Sequence, residues 1–386
     1  MYFIMGIYNY HKTPYLLKNS QDKSQKIIPL VSIIIPTRNE AHRISKCIQT
    51  LKSQTYPKLE IIIVDDSTDD TVEVIKSLTG NDKRFKIVKQ EMLPKDWVGK
   101  PFALQQGSKT AKGEWLLFID ADTYYDPVII ERTIEFALKN KLDMLSLAPR
   151  HICISFWEKI IQPIPLSVIL ASSPLAKIND PKSKVAHASG PFIMIKHSIF
   201  DKVGGYQTIK QHIADDIELA KLIKSSGFRL GFAYAQSMMS LRMYEKFSEI
   251  WEGWSKNSFL GFVQKRQIKS KFLQILILIL GLFAMFELLI LPFFSMISSL
   301  LIFLILQSLP WIYLFLFASI TWLVSIFVLV YIQSIYHIGK ARYAPLTLFI
   351  GGIIVMGIFA NSAFKTISRK GVTWKGRIYL NNKFDS

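Results

Sequence analysis

The sequence predicts an α/β domain built on a parallel sheet covered by helices on both faces, followed by a C-terminal α-helical membrane region. Three observations carry that expectation. Between residues 28 and 240, short strand-like and helix-like segments alternate, the order that builds a parallel sheet. The strand-like segments are apolar throughout rather than at every second residue, as strands buried on both faces are. From Phe272 to Gln333, 62 residues carry one charge, Glu287. That run is too long to hide inside one small domain.

The elements follow in order. Leu30–Pro36 is a β-branched run ended by proline, which reads as a buried strand. Ala41–Ser53 reads as a helix with Ile44, Cys47, Ile48 and Leu51 on one face. Glu60–Asp66 is a second strand, and Ser67–Asp70 supplies turn and cap residues for a helix from Thr71 to Leu78. Phe85–Val88 reads as a short strand, Gly99–Ala111 as a helix, and Trp115–Ile119 as the next strand.

That last strand delivers Asp120 and Asp122. Residues i and i+2 share a face of a strand, so both carboxylates can project toward one point. Two hard oxygen ligands at a strand end suit Mg²⁺ or Mn²⁺ carrying nucleotide phosphates. A single Asp-x-Asp is more often a turn after a strand. Its weight here comes from Thr37-Arg38-Asn39-Glu40 and Asp65-Asp66 at two other strand ends, because such sheets bind ligands beyond the carboxyl ends of their strands.

Charge and cysteine content narrow the class. The 47 Lys and Arg against 29 Asp and Glu give a formal charge of +18. Beside apolar runs this length, basic excess marks cytoplasmic segments and an anionic lipid surface, and no nucleic-acid-binding signature accompanies it. Cys47 and Cys153 are too few for a disulfide framework or a zinc site, as in a domain kept in the cytosol. Met1–Tyr10 is too short and too poor in positive charge for a signal peptide. His11–Lys26 reads as a loose leader.

Ile35-Pro-Thr-Arg-Asn-Glu40, Val64-Asp-Asp-Ser-Thr-Asp69, Gly99-Lys-Pro-Phe-Ala103 and Phe118-Ile-Asp-Ala-Asp122 stand in the order and spacing of family 2 glycosyltransferases. Residues 28–240 resemble their catalytic domain. The resemblance implies the GT-A fold, a Rossmann-like sheet that binds a nucleotide-diphospho-sugar. It implies a donor pocket of Pro36, Arg38, Glu40, Asp65, Asp66, Lys100 and Asp120, with Pro36, Arg38 and Glu40 at the nucleoside and Asp66 at the base. Lys100 would meet the diphosphate, Asp120 the ribose or the metal, and Asp122 the Mg²⁺ or Mn²⁺. Gln105-Gln106 departs from the Asn that many relatives carry there, and no role attaches to it.

By the same resemblance, Gly190-Pro-Phe and Val203-Gly-Gly-Tyr206 frame the acceptor side, with Gly190, Gly204 and Gly205 letting backbone and substrate approach. Gly204-Gly205 also reads as a plain helix stop. Ala214-Asp-Asp-Ile-Glu opens a helix that ends at Gly227. Acids at a helix start complement its dipole. In family 2 an acidic pair here supplies the catalytic base, usually its second member, which makes Asp216 the base and Asp215 the alternative. A carboxylate suits proton removal from an acceptor hydroxyl, and one direct displacement inverts the anomeric carbon.

Residues 241–271 mix aromatic and charged side chains, the composition of an interfacial segment. The Gln-x-x-Arg-Trp of polymer-making synthases is absent. Arg242 with Tyr244, or Trp251 and Trp254, would hold the acceptor in its place, or the segment is a plain interfacial helix. Phe156–Leu175, apolar and twice broken by proline, reads as a monotopic segment or a covering loop.

Two long helices or three ordinary ones fit Phe272–Gln333, broken near Pro292 and Pro310, and another fits Leu346–Phe364. Basic clusters before Phe272 and after Phe364 both belong on the cytoplasmic side. That requires an even number of crossings and favours four, with His337–Arg342 outside. Glu287 inside a span is a candidate functional group or a headgroup-snorkelling acid. The tail Gly371–Tyr379 resembles that of membrane-anchored members associated with carotenoids and hopanoids.

The expected organisation is a leader at 1–27, a GT-A domain at 28–240, an interfacial segment at 241–271, transmembrane helices at 272–364 and a basic cytoplasmic tail at 365–386. The function expected is a multi-pass cell-membrane glycosyltransferase, metal-dependent and inverting, with its catalytic domain in the cytoplasm. It would move sugar from a nucleotide-diphospho-sugar to a lipid or lipid-linked acceptor. A processive polysaccharide synthase and a non-catalytic nucleotide-sugar sensor are the alternatives. The small number of spans speaks against the first, and the four acids Asp120, Asp122, Asp215 and Asp216 against the second.

Overall fold

In strand-rich sequence of this kind, continuous β-branched runs pair edge to edge and seek cover on both faces, and the structure shows where each does so. The computed structural model describes residues 7, 8, 10–16, 28–260, 262, 263, 268, 270–368, 370, 372–374 and 377–379. The basic residues at 265, 266 and 269, and the ends of the leader and the tail, lie outside them.

In chain order the elements are β1 (Val31–Thr37), α1 (Ile44–Lys52), β2 (Leu59–Asp65), α2 (Thr71–Thr79), β3 (Phe85–Lys89), α3 (Gly99–Thr110), β4 (Trp115–Ile119), β5 (Thr123–Tyr125), α4 (Ile129–Lys139), β6 (Met144–Ala148) and β7 (Arg150–His151). The helices α5 (Phe156–Ile161) and α6 (Pro163–Ser172) come next, then β8 (Phe192–Lys196), α7 (His197–Lys202), α8 (Asp215–Ser225), β9 (Leu230–Tyr234) and β10 (Met239–Leu241). Last are α9 (Phe247–Ser255), α10 (Lys271–Leu289), α11 (Leu291–Leu306), α12 (Leu309–Ile335), α13 (Ala341–Ile367), β11 (Val372–Trp374) and β12 (Arg377–Tyr379).

The chain divides into two compact units. One holds residues 7–151 and 173–243, and the other residues 152–172 and 244 onward. Thus α5 and α6, which interrupt the first unit in sequence, pack with the second.

The first unit carries a seven-stranded sheet in the order β3-β2-β1-β4-β8-β6-β9. It is mixed where the alternation predicts a parallel sheet, because β8 runs antiparallel to both β4 and β6. A strand buried on both faces reads the same in either direction, so its apolar pattern carries no orientation. A smaller sheet, β5-β10-β7, lies in the same unit. The main core gathers Ile33, Ile35, Ile61, Ile63, Leu117 and Ile119 from the strands with Ile44, Cys47, Ile48 and Leu51 from α1. The face expected of α1 is the buried one.

One part of the leader is ordered onto the sheet. Leu16 N–H donates to Tyr234 O at 2.8 Å, and Tyr234 N–H donates to Pro14 O at 2.9 Å. The segment expected to be loose therefore pairs with the β9 edge, whose unpaired backbone groups need partners. The rings of Tyr10 and Tyr15 pack on Tyr234.

Gly113 is where the turn into β4 meets β1. A Cβ there would stand 2.6 Å from Ser32 N and 2.8 Å from Leu30 O, backbone atoms that cannot yield cheaply. Gly113→Ala is expected to destabilise the first unit by about 1–3 kcal/mol, read as a lowered unfolding midpoint of the purified protein.

In the second unit, Ser155 Oγ accepts from Glu158 N–H at the start of α5, a Ser-x-x-Glu helix start. Pro292 and Pro310 occupy the first turns of α11 and α12, where a missing N–H costs nothing, so the breaks fall where the prolines predict. Among the described residues three helices, α10, α12 and α13, are long and apolar enough to cross a membrane. The second apolar stretch, α11, has 16 residues, about 24 Å of helix against about 30 Å of hydrocarbon. Four full-length spans were expected, and the shortfall is set by where Gln307 turns the chain with φ of 47°. Glu287 is exposed in the last turn of α10, the position of a snorkelling acid.

Candidate active site

Four charged groups converge at the carboxyl end of the main sheet, brought there by three different elements. Asp120 ends β4. Gly190 lies in the loop entering β8, and the antiparallel pairing of Ile119 with Phe192 brings that loop beside Asp120. Lys100 sits in the first turn of α3, and Asp215 and Asp216 in the first turn of α8.

The geometry is tight. Lys100 Nζ is 2.6 Å from Asp120 Oδ1, with both side chains about one third exposed or less. Gly190 N–H donates to Asp216 Oδ2 at 3.0 Å, and Ile217 N–H to Asp216 Oδ1 at 2.8 Å, so both oxygens of Asp216 are oriented by backbone. A Cβ on Gly190 would stand 3.3 Å from Asp216 Oδ2, 3.3 Å from Lys100 Nζ and 3.7 Å from Asp120 Oδ2. Glycine is needed here for close approach rather than for a special φ. Gly190→Ala is expected to leave the unfolding midpoint nearly unchanged, since the clashing atoms end flexible side chains. Displacing them should cost about tenfold to a hundredfold in turnover.

The electrostatics of the cluster are coupled. Burial pushes the Asp215 carboxyl up to about 7; Lys100 opposes the shift, and Asp216 and Asp120 add to it. Burial would lower the Lys100 amine, but Asp120, Asp215 and Asp216 outweigh it and hold the group charged. Tyr206 is fully buried, its ring packed on Phe118 and Phe200. Its hydroxyl is raised by burial and by Asp215, Asp216 and Asp120, which puts it at the back of the same cluster. The sequence reading missed Tyr206. Its position directly after Gly204-Gly205 was the available signal.

Asp122 follows on the same side of β4. Burial, then Asp122 and Asp120, raise the Cys47 thiol, so both carboxylates face that side of α1. The Asp122 carbonyl accepts from Arg242 N–H at 3.3 Å, which places Arg242 at this strand end. Thr123 Oγ1 donates to Asp120 O at 2.6 Å and pairs with the Tyr125 hydroxyl. The Tyr125 hydroxyl in turn reaches Pro191 O at 3.1 Å. This buried chain ties the Asp120 loop to the Gly190 loop, and neither Thr123 nor Tyr125 was anticipated.

At the neighbouring strand ends, Arg38 forms an ion pair with Asp66 at 2.5 Å and also donates to Asp66 O at 3.2 Å. Pro36 precedes them, half-buried near the end of β1. Asp65 accepts from Thr37 Oγ1, Ser67 Oγ and Ser67 N–H at 2.7, 2.7 and 3.1 Å, so it ties the two strand ends together. Glu40 pairs with Arg43 at 3.0 Å. Gln105 Oε1 accepts from Gln207 N–H at 3.1 Å, a structural use for a residue left without one.

Gly204 and Gly205 both have positive φ, 80° and 54°, so the helix-stop reading of this pair holds in the structure. A Cβ on Gly205 would also meet the Phe200 ring at 2.5 Å. Trp251 and Trp254 belong to the second unit, where Trp251 lies against Gly357 and buried Trp254 against Tyr244.

Among the described residues no three His, Cys, Asp or Glu side chains gather as a metal cage. The carboxylates Asp120 and Asp122 still suit a divalent cation that keeps several water and phosphate oxygens, as Mg²⁺ does.

With this geometry in place the comparisons become informative. Residues 32–204 match glycosyl transferase family 2. The chain carries a family 2 glycosyltransferase domain. The match covers β1 to Gly204, and so includes Lys100, Asp120, Asp122 and Gly190. The 4,4'-diaponeurosporenoate glycosyltransferase of Staphylococcus haemolyticus is 25% identical over 67% of this chain and 68% of its own length. That of Staphylococcus aureus is 26% identical over 60% of this chain and 61% of its own. The mannosyltransferase PcManGT from Pyrobaculum calidifontis, solved with GDP-Man and Mn²⁺, matches 94% of this chain and 95% of its own with a TM-score of 0.53 at 18% identity. That likeness shows the GT-A fold. The family 2 domain is thus joined to apolar helices long enough for a membrane, and the carotenoid-associated relatives agree with the likeness seen in the tail.

Proposed function

We propose that this protein is a membrane-bound, inverting glycosyltransferase. It moves sugar from a nucleotide-diphospho-sugar to a lipid or lipid-linked acceptor at the cytoplasmic face. The convergence of Lys100, Asp120, Asp215 and Asp216 around Gly190 carries the reading. The 4,4'-diaponeurosporenoate in the name of the relatives supports a lipid as the acceptor here.

In this reading Pro36, Arg38, Glu40, Asp65 and Asp66 hold the nucleoside end of the donor. Lys100 lies where the leaving diphosphate gathers negative charge, and a cation fixed there stabilises the departing group. Asp120 and Asp122 would hold Mg²⁺ or Mn²⁺, which when bound supplies further charge neutralisation to the diphosphate. Asp216 takes the proton of the acceptor hydroxyl as its oxygen attacks the anomeric carbon. The carbon–oxygen bond to the diphosphate breaks, its electron pair leaves with the diphosphate, and the configuration inverts. Gly190 and Ile217 N–H groups aim the Asp216 carboxylate, with no side-chain hydrogen-bond partner among the described residues to compete for the proton. The acceptor side is assigned to Gly190, Gly204, Gly205 and Arg242.

The test is a panel of labelled nucleotide sugars offered to membranes containing the protein, with Mg²⁺, Mn²⁺ or chelator. Label in the organic extract that requires both metal and Asp216 supports the proposal. Label confined to insoluble polymer, or none with any donor that binds, overturns it.

A further inference from the structure

The second unit holds a cationic group that glycosyl transfer does not use. Lys159, in α5, places Nζ 5.3 Å from the centre of the Tyr343 ring, and Arg342 places Cζ 5.0 Å from it. Arg342 also donates to the Tyr343 hydroxyl at 3.3 Å. Lys340, exposed, closes the same turn by accepting from Tyr343 N–H through its carbonyl at 3.1 Å. Two cations from two distant stretches thus meet over one aromatic ring, and the charge of Lys340 acts on the same ring. Among the described residues no carboxylate lies within ion-pair distance of any of them. Gathering unpaired like charges is costly unless an anion neutralises them.

The surroundings say which anion. Phe156 and Trp157, in the same short helix as Lys159, are 46% and 38% exposed, and Leu346, three residues beyond Tyr343, is 40% exposed. Aromatic and aliphatic groups beside cations are the composition of a membrane–water interface. The arrangement is also firmly built. Thr347 Oγ1 donates to Lys159 O at 3.3 Å, and Gly351 passes so close to Ile160 O that a Cβ would stand 1.9 Å from it.

We propose that Lys159, Lys340 and Arg342, grouped about Tyr343, bind the phosphate of an anionic phospholipid headgroup. The site seats α5 and the start of α13 in the interface.

Full-length protein in detergent, supplied with equal phosphatidylglycerol and phosphatidylcholine, tests this by native mass spectrometry. The native chain should retain phosphatidylglycerol preferentially, and Lys159→Gln with Arg342→Gln should reduce that preference about tenfold or more. An unchanged preference in the variant, or none in the native chain, overturns the site. Displacement of the lipid by millimolar inorganic phosphate would assign it to free phosphate and overturn the lipid.

Discussion

Replacing Asp216 by Asn leaves nucleotide binding near its native level and lowers transfer by about 10²- to 10⁴-fold, the range of a lost general base. The substitution keeps size and shape, and the amide oxygen can still accept from one of the two N–H groups, Gly190 or Ile217, that the two carboxylate oxygens now accept from. What disappears is an oxygen able to take a proton. Single-turnover transfer beside equilibrium binding of the donor nucleotide separates the two effects. Near-native transfer by the variant removes Asp216 as base and points to an acceptor that arrives already ionised, as a carboxylate would.

Asp215→Asn has the second large effect, and it is on stability. The folded-state carboxyl is raised from the ordinary 3.8 to about 7 by burial, so the folded chain holds its proton more tightly than the unfolded chain. For such a group the stabilising contribution is full below pH 3.8, declines as pH rises, and is lost above about 7. An amide needs no proton to stay neutral. The variant should therefore melt close to the native protein at pH 4 and several degrees above it at pH 8. Lys100 keeps Asp120 at 2.6 Å in the variant, so no cation is stranded. Equal melting shifts at both pH values would show that Asp215 is not buried as a strained acid. A destabilised but more active chain is the usual inverse of such a gain.

The order of elements in the first unit was legible because each strand is a short β-branched run and each helix carries one apolar face. The face of α1 named by Ile44, Cys47, Ile48 and Leu51 is buried. The clustering of Asp120, Lys100 and Asp216 was legible only as motifs in register, since no local pattern measures distance across a sheet. The pairing of residues 14–16 with β9 was not legible, because a polar, aromatic leader has no strand period and takes its order from an edge that needs partners. Thr123, Tyr125 and Tyr206 escaped for a related reason. Their hydroxyls matter through neighbours far along the chain, such as Pro191 O for Tyr125.

By itself, the sequence determined the alternation of the α/β unit, the carboxylates at its strand ends and the apolar helices that follow, because these depend on periodicity, composition and length. Tertiary structure alone decided the antiparallel insertion of β8, which sets Gly190 against Asp120 and Asp216. It also decided the gathering of Lys159 with Arg342 around Tyr343. Direction of a buried strand and contact between distant segments are properties of packing, and no stretch of chain encodes them locally.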